Sequence, residues 1–377
     1  MHIAYIILTI IIILLIAVPY GLCGLVAWLL KQWPLWATGF KWGGAVLSLV
    51  VAVIFIVAFT WGWRQVSVTK YRYAHTSVPS TFDGYKIIQL SDFHIGTLSG
   101  HPEAVQHIVD SVNALQPDLI VFTGDLVNMH ADEEAEFHDI LRGFKATDGV
   151  VSVMGNHDYM MYAYNKSHNV ESGTTVSREQ IADIRKLQDA ERDLGWRLLL
   201  NDNHVIRRGA DSIAIVGVEN DGDGKHFPQY GDLKKAQHDL PDGIFKVLLS
   251  HDPTHWKRRV LSETDIHLQL SGHTHAMQFM LFGWSPSSWV YPEWRGPYIY
   301  DNLEQFQNGE KYRTDCRTKD DGSVCVECMP EGKPTTGASR TKSTHRSLIV
   351  SSGIGEVGVP FRFGAWPEIV EITLRKQ

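Results

Sequence analysis

The chain has 377 residues, room for one large or two ordinary domains, and 44% of them are hydrophobic, enough for a full core. Its formal net charge of −7 and a pI near 6.2 leave no basic stripe of the kind a nucleic-acid surface needs, so no nucleic-acid partner is expected. The 18 histidines are many for this length, and it is their placement after apolar runs that carries information.

The first sixty residues hold a large share of the apolar content. One run covers residues 3–30, with Pro19, Gly21 and Gly24 inside it, and a second covers 42–63. Each is long enough to cross a hydrocarbon core of about 30 Å as a helix. Lys31, Gln32, Pro34 and Lys41 lie between them, and Trp33, Trp36, Trp42, Trp61 and Trp63 stand near the ends, where an aromatic belt belongs. The first run has no positive leading region and is too long for a cleaved signal peptide. Residues 1–64 are therefore expected to form a transmembrane hairpin anchor, with a linker over 65–84. Arg64, Lys70 and Arg72 outnumber Lys31 and Lys41, so the positive-inside rule favours, by a narrow margin, a catalytic domain on the cytoplasmic face.

From residue 85 short β-branched runs alternate with longer polar stretches. The runs at 86–90, 119–122, 150–153, 213–218, 246–249, 267–270 and 348–350 are bounded by Gly, Asp or Asn and read as buried strands. Residues 101–115 and 177–194 read as helices, the first with Val105, Ile108, Val109 and Val112 on one face, the second with Ile181, Ile184 and Leu187. The pattern is α/β, a sheet core with flanking helices. A catalytic domain is expected over 85–375, with a polar inserted loop at about 301–345. The block at 282–300 is rich in Trp and Tyr and reads either as a loop over the domain's own core or as a contact with the bilayer.

Five of the strand-like runs end alike. They lead into Asp92-Phe93-His94, Gly124-Asp125, Gly155-Asn156-His157-Asp158, Ser250-His251-Asp252 and Gly272-His273-Thr274-His275. In an α/β sheet, ligands collect outside the carboxyl ends of the strands, so these ends are expected to converge. They would bring carboxylates, a carboxamide and imidazoles to one place, a set that wastes buried polarity unless cations fill it. Mixed N and O donors without thiolate suit Mn, Fe or Zn. There are too many of them for one ion. Asp92 and His94, like His273 and His275, are two apart, which in an extended backbone points them the same way.

In this order the motifs resemble the calcineurin-like metallophosphoesterase superfamily, with D-x-H, G-D, G-N-H-D/E, H and G-H-x-H, over about residues 85–375. Ser271-Gly272-His273-Thr274-His275 and the closing stretch from Gly353-Ile354-Gly355 through Pro360-Phe361-Arg362-Phe363-Gly364 to Pro367-Glu368-Ile369 resemble its membrane-associated YkuE/YaeI-type branch. The resemblance implies a two-sheet sandwich with outer helices and a pair of divalent metal ions. Asp92, His94 and His275 would hold one metal, Asn156, His251 and His273 the other, and Asp125 would bridge them. The pair would clamp a phosphate and activate water for in-line attack on a phosphodiester, pyrophosphate or phosphomonoester. His157 would serve the leaving oxygen. Many members carry an Asp three residues after the bridging one as this histidine's partner. Here Asn128 takes that place, and an amide supports an imidazolium less than a carboxylate does. Ala276-Met277-Gln278 is a second departure, since the branch often has two glycines before the Gln.

A membrane tether favours a lipid-linked substrate; by family analogy, a UDP-diacylglucosamine-type pyrophosphate is one candidate. The rival readings are a tethered scaffold with a degenerate site, against which the full ligand set speaks, and a metal-dependent amide hydrolase. Cys316, Cys325 and Cys328 with His345 pose a choice between a structural zinc site and an exposed loop. Asp221, Asp223 and His226 read as a solvated turn.

Overall fold

The computed structural model describes residues 2–164, 176–224, 227–300 and 345–377, with the backbone of 316–318 and 324–326. Two long helices come first, α1 (His2–Leu29) and α2 (Pro34–Thr60), each long and apolar enough to cross a membrane. Pro34 opens α2, where its missing N–H costs nothing. The helices lie against each other where Gly44 approaches the backbone of Pro19 and Tyr20, a closeness that a small residue permits. Their outer faces are bare: Leu35 is 86% exposed and Trp42 70%. Water tolerates such a surface poorly, and the hydrocarbon of a bilayer suits it.

The strands are, in chain order, β1 (Ser67–His75), β2 (Lys86–Leu90), β3 (Leu119–Phe122), β4 (Val150–Ser152), β5 (Arg197–Leu198), β6 (Asp202–Arg208), β7 (Asp211–Gly217), β8 (Phe245–Leu249), β9 (Leu268–Ser271), β10 (Gly296–Tyr300), β11 (Cys316–Thr318), β12 (Val324–Val326), β13 (Arg346–Val350) and β14 (Glu368–Lys376). They form two mixed sheets. One runs β11-β12-β1-β14-β2-β3-β4-β5, the other β10-β13-β9-β8-β7-β6. The expected two-sheet sandwich is what the chain builds.

The period-two alternation of a strand explains the layers. In β2, Ile87 faces the core between the sheets, with Leu119, Val121, Val247, Leu249 and Leu270. Its neighbour Ile88 faces outward, under α3 (Pro102–Ala114), which lays Val105, Ile108, Val109 and Val112 on that face. Leu187 of α4 (Arg178–Asp193) closes the same layer, and Ser177 caps this helix by accepting the amide of Gln180. On the far side Trp256 and Val260 cover Val216 and Leu248.

Two expectations change. Residues 65–84 are not a free linker: β1 lies parallel to β14 in register from Ser67 opposite Glu368 to His75 opposite Lys376. Its alternation of Val68, Lys70 and Arg72 with Tyr71 and Tyr73 hid it, because an edge-side strand keeps charge on its exposed face. The inserted loop at about 301–345, and with it the cysteine zinc site, lies outside the described residues apart from two strand backbones and His345. Asp221 is not solvated either. It is buried and ion-paired with Arg258 and Arg259.

A chain beginning at residue 85 would leave β14 unpaired on one side. It is expected to be insoluble or to melt at least 10 °C below a chain beginning at residue 65, by circular dichroism on both.

Candidate metal centre

Strands β2, β3 and β4 run parallel in the first sheet, and β7, β8 and β9 in the second. The carboxyl ends of β2, β3, β4, β8 and β9 meet at one rim, and all seven candidate ligands lie there. Asp92, His94, Asp125, Asn156, His251 and His275 are buried, and His273 nearly so.

The distances divide the set in two. Around Asp92, the Nε2 of His275 lies 3.2 Å from Oδ1 and 3.0 Å from the Nε2 of His94. Around Asn156, Oδ1 lies 2.8 Å from His273 Nδ1 and 3.1 Å from His251 Nε2. Asp125 stands between, its Oδ2 3.1 Å from His251 Nε2 and 3.7 Å from His94 Nε2. Ligand atoms of Asp92, His94 and His275, of His94, Asp125 and His157, and of Asp92, Asp125 and His251 each fall within 4.8 Å of one another.

Outer partners aim the donors. His251 Nδ1 donates to the Thr123 carbonyl at 2.8 Å, which frees Nε2 for the cluster. Asn156 gives its amide N–H to the Tyr162 hydroxyl at 3.1 Å, which turns its oxygen inward. Tyr291 meets His273 Nε2 at 3.1 Å and leaves Nδ1 facing in. Asp158 passed in the sequence as part of a motif, yet it fixes the frame. Its carboxylate accepts the amides of Asp125 at 2.7 Å, Gly155 at 2.8 Å and Val127 at 3.2 Å. Gly155 and Gly272 matter for space, since a Cβ at either would overlap the carboxylate of Asp125 or of Asp92.

The backbone reasoning for the D-x-H and H-x-H pairs fails. These pairs are not extended. Asp92 (φ 53°), His94 (φ 41°), Asp125 (φ 58°), His273 (φ 73°) and His275 (φ 51°) are all left-handed. Each such residue costs roughly 1–3 kcal/mol unless its surroundings impose it. No residue-level pattern in the sequence signals this. His157 also differs. Its Nδ1 lies 2.7 Å from the main-chain carbonyl of Asn128, so the backbone and not the amide side chain orients the ring.

The electrostatics suit cations. Burial alone would push Asp92 up, but His275 and His251 beside it hold its carboxyl well below the usual range. Burial and then the His157 ring keep His94 neutral, and burial does the same for His273. Burial pulls His251 down, but Asp125 and Asp92 outweigh it and lift the imidazole to about 10. Burial, then the charge of Asp125, lifts Asp158 to about 7. Among the described residues, His94 Nδ1 has no hydrogen-bond partner. A buried set of carboxylates, neutral imidazoles and an amide oxygen is the donor chemistry that divalent cations fill.

The calcineurin-like phosphoesterase family model matches residues 85–277, about half of the chain, and the chain belongs to that family. Its members hydrolyse phosphoesters with divalent metals. Three relatives bear on the branch. The chain is 29% identical over 330 residues to an uncharacterised metallophosphoesterase, YkuE, of Bacillus subtilis, covering 83% of this chain and 86% of that one. It is 27% identical over 239 residues to a transmembrane protein with metallophosphoesterase domain of Danio rerio, and spans only 50% of that protein. It is 25% identical over 278 residues to the UDP-2,3-diacylglucosamine pyrophosphatase LpxG of Chlamydia trachomatis, covering 63% of this chain and 79% of that one. The superfamily and branch read from the motifs stand.

Without metal, His251 holds a proton to about pH 10 that a cation must displace. Its raised value adds stability to the metal-free chain below the ordinary histidine value near 6.5, and that contribution fades as pH rises through 10. Metal affinity is therefore expected to rise by about tenfold or more from pH 6 to pH 8, with protons released. Calorimetry in buffers of different ionisation enthalpy reads both.

Proposed function

We propose that the chain hydrolyses a phosphoester bond at a centre of two divalent cations, Mn, Fe or Zn. Asp92, His94 and His275 would hold one and Asn156, His251 and His273 the other, with Asp125 between. The observation that supports this best is the convergence of all seven donors, buried and split into two groups that share Asp125. A degenerate scaffold would be expected to have lost at least one of them. Bound there, the cations would polarise the phosphoryl oxygens and lower the pKa of the attacking water.

The chain's own groups do the rest. Asp158 holds the loops after β3 and β4 so that Asp125 cannot swing away. His157 is held by the Asn128 carbonyl and stacks on Tyr162 at 4.2 Å, which leaves its Nε2 to hydrogen-bond the leaving oxygen. Closing the fold against water around these groups strengthens each of these interactions.

For the substrate, we favour a membrane-resident pyrophosphate of the UDP-diacylglucosamine type. The support is the name of the Chlamydia relative together with the two membrane-length helices. Such a nucleotide-linked lipid requires the cytoplasmic face, which the basic residues after α2 favour on the positive-inside rule.

Asp125→Asn is expected to lower the rate on bis-para-nitrophenyl phosphate with Mn by about a thousandfold, roughly 4 kcal/mol, and to reduce bound metal. An undiminished rate would refute the two-metal reading, and hydrolysis of a chromogenic amide instead would favour the amidase. His157→Ala is expected to cost about 10²–10³-fold in kcat. Asn128→Ala should leave it within about twofold, because a backbone carbonyl survives the change.

A further inference from the structure

Among the described residues beyond 67, most of the large apolar side chains that lie exposed fall in one stretch, Met277 to Val290. Leu281 and Trp284 exchange both main-chain hydrogen bonds, at 2.9 and 3.0 Å, around a two-residue turn of Phe282 and Gly283. Both turn residues have positive φ, 51° and 78°. Such turns favour Asn-Gly or Asp-Gly. Here a phenylalanine takes the strained first place and is 98% exposed. Trp289 is 77% and Val290 60% exposed, and Trp284 meets Trp289 edge to face at 5.1 Å. Among the described residues, the strained turn carries the Phe282 ring almost wholly into the open, and the Trp284–Trp289 contact leaves most of Trp289 bare.

The base of this lip sits on the membrane helix. Met280 donates to the Phe363 carbonyl at 2.7 Å, and Phe279 stacks on Phe361 at 6.4 Å. Phe361 in turn meets Phe59 at 5.4 Å and Phe55 at 5.8 Å, in the last turns of α2. The lip thus starts where the helix ends, the level at which Trp and Phe suit the headgroup zone. At its other end Tyr291, next to Val290, touches His273. The chain from Phe279 to Tyr291 therefore has one end against the last turns of α2, through Phe361, and the other against His273.

We propose that Leu281, Phe282, Trp284, Trp289 and Val290 form a second membrane contact, lodged in the headgroup–acyl boundary of the bilayer that holds the hairpin. Through it an amphiphilic phosphate ester reaches the metal centre from the lipid phase without passing through water. The proposal rests on the phosphoesterase reading for its chemistry but not for its membrane contact.

The test uses the full chain in phosphatidylcholine–phosphatidylglycerol vesicles, with Phe282→Asp/Trp289→Asp beside the wild type. Two substrates are compared with Mn, bis-para-nitrophenyl phosphate in water and hexadecyl para-nitrophenyl phosphate in the bilayer. The double variant should keep the soluble rate within twofold and lose at least tenfold on the lipid ester. In a separate arm, the fluorescence lost in Trp289→Phe should be quenched by lipids with brominated acyl chains. Equal loss on both substrates, no loss on either, or an unquenched Trp289 overturns the proposal. So does an unquenched Trp289 with a dimer that the double variant abolishes, which would give the lip to a second copy of the chain. If the wild type hydrolyses neither substrate, the phosphoesterase reading fails, and the quenching alone still decides the contact.

Discussion

The Asp125 carboxylate is buried among imidazoles at the rim the two sheets share, and most of the molecule is arranged around that fact. A carboxylate there must be compensated. The metal-free chain does it with a proton on His251, and a cation would do it better by serving Asp92 and the neutral histidines as well. Holding the donors inward requires left-handed backbone at five of them, a strain of roughly 1–3 kcal/mol apiece. The strands from whose ends these loops leave are buried on both faces, and they supply the rigidity that keeps such a backbone in place. Asp158 is the clearest case. Its carboxylate is kept among three amides although burial opposes its charge, and in return it locks the two loops that present Asp125 and Asn156.

The same rim is tied to the membrane helix by the stretch from Ser351 to Trp366. Ile354 and Gly355 donate to the carbonyls of Ser91 and Asp92 at 3.0 and 2.7 Å, so this stretch cradles the backbone of Asp92. Arg362, fully buried, gathers it by donating to the carbonyls of Gly355 at 2.9 Å, Ala365 at 2.7 Å and Ser352 at 3.1 Å. Its own amide reaches the Ala58 carbonyl of α2, and Trp61 meets Trp366 edge to face at 6.0 Å. The anchor is therefore packed onto the catalytic domain. With β1 in the sheet, little loose chain separates the two.

The strands that carry ligands were legible because burial on both faces leaves a short, mostly apolar run with a Gly, Ser or Asp stop. That is why 86–90 and 119–122 match β2 and β3 residue for residue. Strands β1 and β6 escaped because their partly exposed positions carry Lys, Arg and His, and β14 because the buried Glu368 and Glu371 interrupt its apolar run, which breaks the run without breaking the strand. The ligand set was legible as an ordered series of motifs. Its geometry was not. Spacing of two implied extended pairs, and only the fold shows that Asp92 and His94 reach the cluster through left-handed turns. Nor does a sequence tell main chain from side chain, so Asn128 looked like an amide partner where a carbonyl does the holding. Tyr162 gave no signal at all, and Tyr291 stood out only as part of an aromatic block, with nothing to link it to His273.

The charge balance bears on how such a site would choose its substrate. A chain of net charge −7 offers an anionic phosphate no attraction at long range, and at physiological salt fields fade within about 8 Å. Attraction has to come from the cations, and it acts only close to the rim. A free phosphate ester then finds the site by unaided diffusion. A phosphate held in the bilayer surface is confined to the same thin layer as a site packed against the end of α2, and its effective concentration there rises accordingly. A rigid seat preserves that advantage, and a long flexible tether would dilute it. If the substrate is held in the bilayer, the contacts of Phe361 and Arg362 with α2 would act on selectivity without touching it, by fixing the site's distance from the end of that helix.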